Sequence, residues 1–189
     1  EQSVESVEFD MMTAAEWLDK AETAVPNTLL GELWHEGGIS VLFGDTSSGK
    51  SLFAVQVAES IASGRPIEPF ELSAAAQRVL LLDLGGSATQ FARRYTCEAA
   101  PNAKKPGRRY QFSPNLIRVS LKGGTQIAPA KLAAVIEQSG AKVLIIDSLA
   151  FLQRYSLPRE TVVVMRELRR LQRRYGLSIL VLMNTARSI

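Results

Sequence analysis

Five short aliphatic runs recur along the chain, and the segments between them have the pattern of helices. The runs occupy residues 39–43, 79–83, 116–120, 143–147 and 179–183. The predicted helices lie at about residues 50–62, 87–97, 129–138 and 161–175, after a shorter one from residue 13 to about 23 that starts at a capping box. Runs that are apolar at nearly every position are typical of strands buried on both faces. The pattern predicts an α/β fold, with a mainly parallel β-sheet sandwiched by helices.

Composition favours one globular domain. Of the 189 residues, 46% are hydrophobic and 22% are charged, which excludes a disordered chain. No apolar run approaches the roughly 18 residues that a membrane-spanning helix needs. The single cysteine, Cys97, and the single histidine, His35, exclude a disulfide framework and most His/Cys metal clusters. We therefore expect a cytoplasmic protein with no membrane association.

The residues after the first run match the pattern G-x-x-x-x-G-K-[ST]. They are Gly44, Asp45, Thr46, Ser47, Ser48, Gly49, Lys50 and Ser51. In such a loop successive backbone N–H groups point inward and hold phosphate oxygens, and the start of the helix adds positive potential. Lys50 then reaches the β- and γ-phosphates, and the hydroxyl of Ser51 is a ligand for Mg²⁺. An accidental match is the alternative, but the strand before the loop and the helix after it favour a site for ATP and Mg²⁺.

Asp147 ends the fourth aliphatic run. A carboxylate at the C-terminal end of a parallel strand lies where such sheets bind ligands. Beside a phosphate loop it would hold Mg²⁺, directly or through water. The alternative is an acid that only caps the turn into Ser148. The phosphate loop favours the metal role.

Three features together resemble the core of RecA-type ATPases: the phosphate loop, the strand that ends at Asp147, and the polar residues Asn184 and Thr185 after the fifth run. The resemblance covers residues 26–189 and extends to the RepA-like ATPases of bacterial plasmids and mobile elements, a branch that includes hexameric replicative helicases. It implies that Asn184 acts in catalysis and that Thr185 contacts the nucleotide, both by sensing the γ-phosphate. It also implies a homo-oligomer, with Arg187 near the position of a basic finger that reaches a neighbour's nucleotide. An ordinary surface arginine is the alternative for Arg187.

The same resemblance divides the chain. We expect residues 1–25 to form an N-terminal extension with a short helix, and residues 26–189 to form a RecA-like ATP-binding domain. Because the sequence begins with Glu1 rather than methionine, we expect it to be part of a longer chain. Because it stops just after a core strand, we expect the domain to be truncated and to continue beyond Ile189.

One position departs from the RecA-type pattern. Those ATPases usually place a glutamate just after the second core strand to polarise the attacking water, and Gly85 occupies that place here. Glycine has no group that accepts a proton. Asp83 lies two residues earlier on the same side of the strand, so it is the candidate replacement, acting through an extra water. We count Asp83 among the candidate catalytic residues, with Lys50 and Asn184, and expect ATP hydrolysis to be slow.

The last predicted helix carries a set of regularly spaced arginines, which are Arg166, Arg169, Arg170, Arg173 and Arg174. This spacing places them on one face, while Met165, Leu168 and Leu171 occupy another side and should pack on the sheet. The arginine face is a candidate contact for DNA phosphates or another subunit, and a solvated helix face is the alternative. A second basic segment, residues 104–110, is either a nucleic-acid contact or an ordinary surface loop.

Two functions stay open. The first is an ATP-driven motor or loader on DNA, with a replication, recombination or helicase-like role in a bacterial mobile element. The second is a nucleotide-dependent switch or assembly protein with little turnover. A small-molecule kinase is less well supported, because neither a substrate pocket nor lid arginines are recognisable. Gly85 favours the switch, whereas the arginine face and the resemblance favour the motor.

Overall fold

A five-stranded sheet forms the centre of the protein, in a computed structural model that describes residues 11–20, 26–97, 108–120, 127, 129–152 and 158–185. In chain order the elements are α1 (Ala14–Lys20), β1 (Ile39–Gly44), α2 (Lys50–Ser63), β2 (Val79–Asp83), α3 (Ala88–Arg94), β3 (Thr96–Cys97), β4 (Arg108–Arg109), β5 (Leu116–Val119), α4 (Pro129–Ser139), β6 (Val143–Asp147), a short 3₁₀ helix (Leu149–Phe151), α5 (Pro158–Tyr175) and β7 (Ser178–Asn184). The strand order is β1-β7-β6-β2-β5, and each pairing in this sheet is parallel. The predicted α/β fold is confirmed.

The strands are aligned so that their C-terminal ends meet at one edge of the sheet. Asp83 at the end of β2 lies opposite Asp147 at the end of β6, and Gly44 of β1 lies opposite Asn184 of β7. Polar residues that are far apart in the sequence therefore come together where the strands end. This is the edge at which open α/β sheets bind ligands.

Both faces of the sheet are covered by helices. Leu81 and Ile145 belong to a core that includes the buried face of α2, whereas Leu80 and Ile146 belong to a core that includes α4 and α5. Successive residues of the central strands thus enter different cores, which explains why these runs are apolar without alternation. Burying each such side chain contributes about 1.5–3 kcal/mol. No helix in the described part of the chain is long and apolar enough to cross a membrane.

The short helix near the N-terminus begins as its capping box predicts. The hydroxyl of Thr13 accepts a hydrogen bond from the N–H of Glu16 at 3.2 Å, and the carboxylate of Glu16 accepts one from the N–H of Thr13 at 2.7 Å. These bonds satisfy backbone donors that a helix start leaves without partners. The helix extends to Lys20, and the predicted continuation to about residue 23 lies outside the described residues.

Three other elements differ from the sequence-based expectation. α3 ends at Arg94 instead of near Cys97, because β3 pairs in antiparallel fashion with β4, so part of the expected surface loop is a strand. β1 was expected to be buried but is partly exposed, because among the described strands it pairs with β7 alone. Phe43 on this strand is 59% exposed. α5 begins at Pro158 instead of Thr161, which adds almost a turn before the arginine face.

Candidate nucleotide-binding site

The glycine-rich segment forms a tight loop between β1 and α2. Gly49 immediately precedes the helix with φ 90° and ψ 1°, a left-handed conformation that side chains with a Cβ rarely adopt. Ser47 is also left-handed, with φ 67°. Lys50 and Ser51 are then the first residues of α2. The strand, loop and helix follow one another as the motif predicts.

The ammonium group of Lys50 is held over the loop by the loop's own oxygens. Its Nζ donates to the carbonyl oxygens of Gly44 at 2.8 Å and Asp45 at 2.6 Å, and it lies 3.4 Å from Oγ of Ser48. A phosphate in the loop would compete with these oxygens for the same cation. The charge that the motif assigns to phosphate binding is therefore located at the loop.

The two predicted Mg²⁺ ligands contact each other. Burial raises the pKa of the Asp147 carboxyl above its usual value, and a hydrogen bond with the Ser51 hydroxyl opposes that shift. The nearby charge of Asp83 raises the pKa further, whereas Lys50 and Arg94 lower it. The carboxylate thus lies in partly desolvated surroundings beside a hydroxyl oxygen.

These donors fit Mg²⁺ in their chemistry, because it prefers oxygen ligands and is commonly held by one or two carboxylates together with phosphate oxygens and water. Within the described residues, no group of three or more His, Cys, Asp or Glu side chains forms a metal cluster. Ser51 and Asp147 would therefore hold a metal jointly with a nucleotide rather than enclose it alone.

A cavity of about 280 Å³ connects the loop to the ends of β2 and β6. Its lining includes Ser51, Asp83, Gly85, Arg94 and Asp147. The position of the missing glutamate, Gly85, therefore faces the same space as the predicted metal ligands. Arg94, at the end of α3, was not predicted from the sequence, because helical periodicity does not show which sheet edge a helix end approaches.

The carboxylate of Asp83 is engaged by Arg118. Oδ2 of Asp83 accepts hydrogen bonds from Nε of Arg118 at 2.9 Å and from Nη2 at 2.6 Å, and Nη2 also donates to the carbonyl oxygen of Gly86 at 3.0 Å. Oδ1 of Asp83 accepts the N–H of Gly86 at 3.0 Å. The guanidinium lies 4.4 Å from the centre of the Phe91 ring.

This pairing changes the interpretation of both charged residues. A proton arriving at Asp83 would have to displace Arg118, so the geometry argues against Asp83 as a free general base. The charge of Arg118 is in turn directed to Asp83 rather than to a partner of the protein. The sequence contains no local signal for this pair, which joins β2 to β5.

The end of β7 lies against the phosphate loop. Thr185 donates its N–H to the carbonyl oxygen of Gly44 at 3.1 Å, and its hydroxyl bonds the carboxylate of Asp45. Asn184 is exposed beside Gly44, its register partner on β1. The resemblance-based assignment of both residues to the site is therefore compatible with their positions.

The arginine face of α5 points to solvent, while Leu168 and Leu171 are buried against the sheet as predicted. Arg170 lies 3.9 Å from Glu167, and Arg174 lies 3.7 Å from Glu137. Exposed pairs at such distances are weak and leave the arginines able to contact a partner. Arg187 lies outside the described residues, as do residues 104–107 of the second basic segment, whereas Arg108 and Arg109 of that segment are exposed.

Comparisons with known proteins agree with this architecture. The sequence model of a family described as an AAA domain matches residues 4–188. Among solved structures, a KaiC-like protein of the hyperthermophilic archaeon Pyrococcus horikoshii superposes with a TM-score of 0.55 at 16% identity. The match covers 83% of this chain and 65% of the archaeal one, so the chain spans slightly less than two thirds of that protein. No curated protein matches.

Proposed function

The chain belongs to the AAA domain family and has the core of a RecA-type P-loop ATPase, and from this premise we propose that it binds ATP with Mg²⁺, hydrolyses it slowly and acts on DNA. One observation carries the proposal: Ser51, Asp147 and Gly85 line one cavity beside the phosphate loop, in which the remaining acid, Asp83, is paired with Arg118. This arrangement supports nucleotide binding and argues against fast turnover.

Different residues of the site would bind the phosphates and the Mg²⁺ ion. Lys50 would exchange its loop carbonyl oxygens for the β- and γ-phosphates, and Ser51 and Asp147 would hold Mg²⁺. The metal, when bound, neutralises charge on the phosphates. Thr185 is joined to the loop through Asp45, so a change in the loop on nucleotide binding would reach the end of β7 directly. Asn184, beside it, is the proposed γ-phosphate sensor.

Slow hydrolysis is expected because neither of the two positions predicted to face the attacking water carries a side chain that is free to accept its proton. Gly85 offers no side chain, and both oxygens of Asp83 already accept hydrogen bonds. A positioned general base typically contributes 10²–10⁴-fold to a rate, or about 3–5 kcal/mol of barrier. Turnover should be lower by about that factor than in an ATPase that has the glutamate.

The exposed arginines of α5 support the DNA part of the proposal. A face of guanidinium groups suits the phosphate backbone, and such contacts carry no sequence information. We further propose a cytoplasmic homo-oligomer with a replication, recombination or helicase-like role in a bacterial mobile element. This narrower role rests on the resemblance to RepA-like ATPases.

A second candidate function is a nucleotide-dependent switch or assembly protein. The pairing of Asp83 with Arg118 favours it, because a site without a free base could use ATP binding alone to stabilise an assembly. The two candidates differ in turnover and in its response to DNA.

Calorimetry on the wild type and on Lys50→Ala tests the phosphate loop. We expect the variant to lose most of its affinity for ATP with Mg²⁺, because it lacks the ammonium group that the motif directs at the phosphates. Equal affinity in both proteins would show that the loop is not the site.

Turnover with and without single-stranded DNA then separates the two functions. The proposed ATPase has a low rate that DNA raises, whereas a switch shows no turnover but binds DNA differently with and without ATP. Reversing Arg169, Arg170 and Arg173 to glutamate should weaken DNA binding at low salt. A control with the same charge change reverses Lys20, Arg93 and Lys131, exposed residues on other helices. Equal DNA binding by the two triple variants would refute a role for the arginine face.

A further inference from the structure

A second and larger cavity, of about 460 Å³, lies beside the later turns of α2. Its lining includes Glu59, Arg65, Ile67, Tyr95, Tyr110 and Phe112. Lys50, Ser51 and Asp147 do not line it, so it is separate from the nucleotide cavity. Val55 lines both cavities and forms part of the wall between them. A volume of this size is in the range of small-molecule sites.

Aromatic side chains form one wall of this cavity. The rings of Tyr95 and Phe112 are 5.0 Å apart, and Tyr110 contacts Phe112 edge-on at 4.7 Å. On its other side Tyr95 packs against Phe91 at 4.7 Å, which holds the cluster in place. Tyr110 keeps 54% of its exposure, although its ring is already positioned by Phe112. A rigid aromatic ring with an open face is a stacking surface for another flat ring.

Polar and charged groups surround that surface. Both carboxylate oxygens of Glu59 accept the N–H of Ser113, at 3.1 and 3.0 Å, so this acceptor group is fixed at the cavity. Arg65 lines the cavity, and Arg108 and Arg109 are exposed on β4 immediately before Tyr110. The combination offers stacking, hydrogen-bond acceptors for amino groups, and cations for phosphate.

We propose that this cavity binds a nucleobase, with its ring stacked on Tyr110 and its phosphate near Arg108, which lies on the same face of the strand as Tyr110. The ligand that these groups would recognise is a nucleobase with a phosphate attached. Either single-stranded DNA or a free nucleotide could supply it. We favour single-stranded DNA as the source of the base. This choice of ligand rests on the proposed DNA-associated function. The proposed site is distinct from the arginine face of α5, which would contact backbone phosphates only.

Fluorescence anisotropy with a labelled single-stranded oligodeoxycytidine, whose bases carry an amino group, tests the stacking contact at low salt. Tyr110→Ala should weaken binding by about 5- to 150-fold, the loss expected for one stacked base, whereas Tyr110→Phe should bind like the wild type because it keeps the ring. Trp17→Ala removes a similarly exposed aromatic ring from α1 and should change nothing; Trp17 keeps 48% of its exposure. An abasic strand of the same length should bind wild type and Tyr110→Ala equally. Thermal unfolding checks that Tyr110→Ala is folded.

Deoxycytidine monophosphate tests whether a free nucleotide supplies the base. The proteins used here also carry Lys50→Ala, which blocks the phosphate loop. If the mononucleotide binds and Tyr110→Ala removes its binding while leaving the strand unaffected, the ligand is a free nucleotide. If Tyr110→Ala changes neither ligand's affinity, the inference is wrong, even where the α5 reversal shows that DNA binding itself is real. Failure of wild type to bind either ligand overturns this inference and the DNA part of the proposed function, while ATP calorimetry still decides the ATP site.

Discussion

Replacing Arg118 by methionine should destabilise the protein by about 3 kcal/mol. The guanidinium donates to Oδ2 of Asp83 at 2.9 and 2.6 Å and to the Gly86 carbonyl oxygen at 3.0 Å. Methionine keeps an apolar stem beside Phe91 but removes all of these bonds. Of the bonds described here, Asp83 would retain the one from the N–H of Gly86.

The magnitude follows from the burial of the pair. Removing one member of a buried ion pair costs about 3–5 kcal/mol, mainly because the other charge loses its partner. The side chains of Arg118 and Asp83 keep 16% and 14% of their exposure, so water compensates in part. We therefore take the low end of the range. In a domain of this size the loss corresponds to a decrease in melting temperature of about 6–12 °C.

Urea unfolding, followed by circular dichroism, measures the effect in four proteins: wild type, Arg118→Met, Asp83→Asn and the double variant. The decrease in the free energy of unfolding in the double variant should be smaller than the sum of the two single decreases, by at least about 1 kcal/mol. The reason is that each single change already breaks the pair. Arg93→Met on the exposed side of α3 is the control. The reasoning is refuted if Arg118→Met falls within about 0.5 kcal/mol of that control. Additive losses in the double variant would refute it equally.

Three further changes test the site. Gly85→Glu should raise ATP turnover by about 10²-fold or more with little change in calorimetric affinity for ATP, since the new group acts on the transition state; an unchanged rate would contradict this. Gly86→Ala should lower urea stability by about 1–3 kcal/mol, because a Cβ there would lie 2.7 Å from Oδ1 of Asp83, and wild-type stability would show that Asp83 can move freely. Asp147→Asn should raise the melting temperature of the nucleotide-free protein and remove the Mg²⁺ dependence of ATP binding. Burial raises the pKa of Asp147, so the ionised form costs stability at neutral pH and a neutral isostere removes that cost; a lower melting temperature would contradict it.

Local pattern was sufficient for the five strands of the main sheet and for the phosphate loop, although it did not predict β3 and β4. The aliphatic runs predicted the strands because β2 and β6 are buried on both faces, and that requirement appears directly in their sequence. The loop was recognisable because its function depends on consecutive backbone groups and on the next two side chains, Lys50 and Ser51. Asp147 followed from its place at the end of a run.

Tertiary structure decided the features that depend on which strands become neighbours. Asp83 meets Arg118 because β2 pairs with β5 in one register, and Thr185 meets Asp45 because β7 lies beside β1. Nothing near these residues in the sequence specifies either neighbour, since strand order is set by how the helices pack on the two faces of the sheet. The sequence alone therefore determined which groups stand at the ends of strands, while the packing of the sheet determined that Asp83, in the wall of the nucleotide cavity, is paired with Arg118.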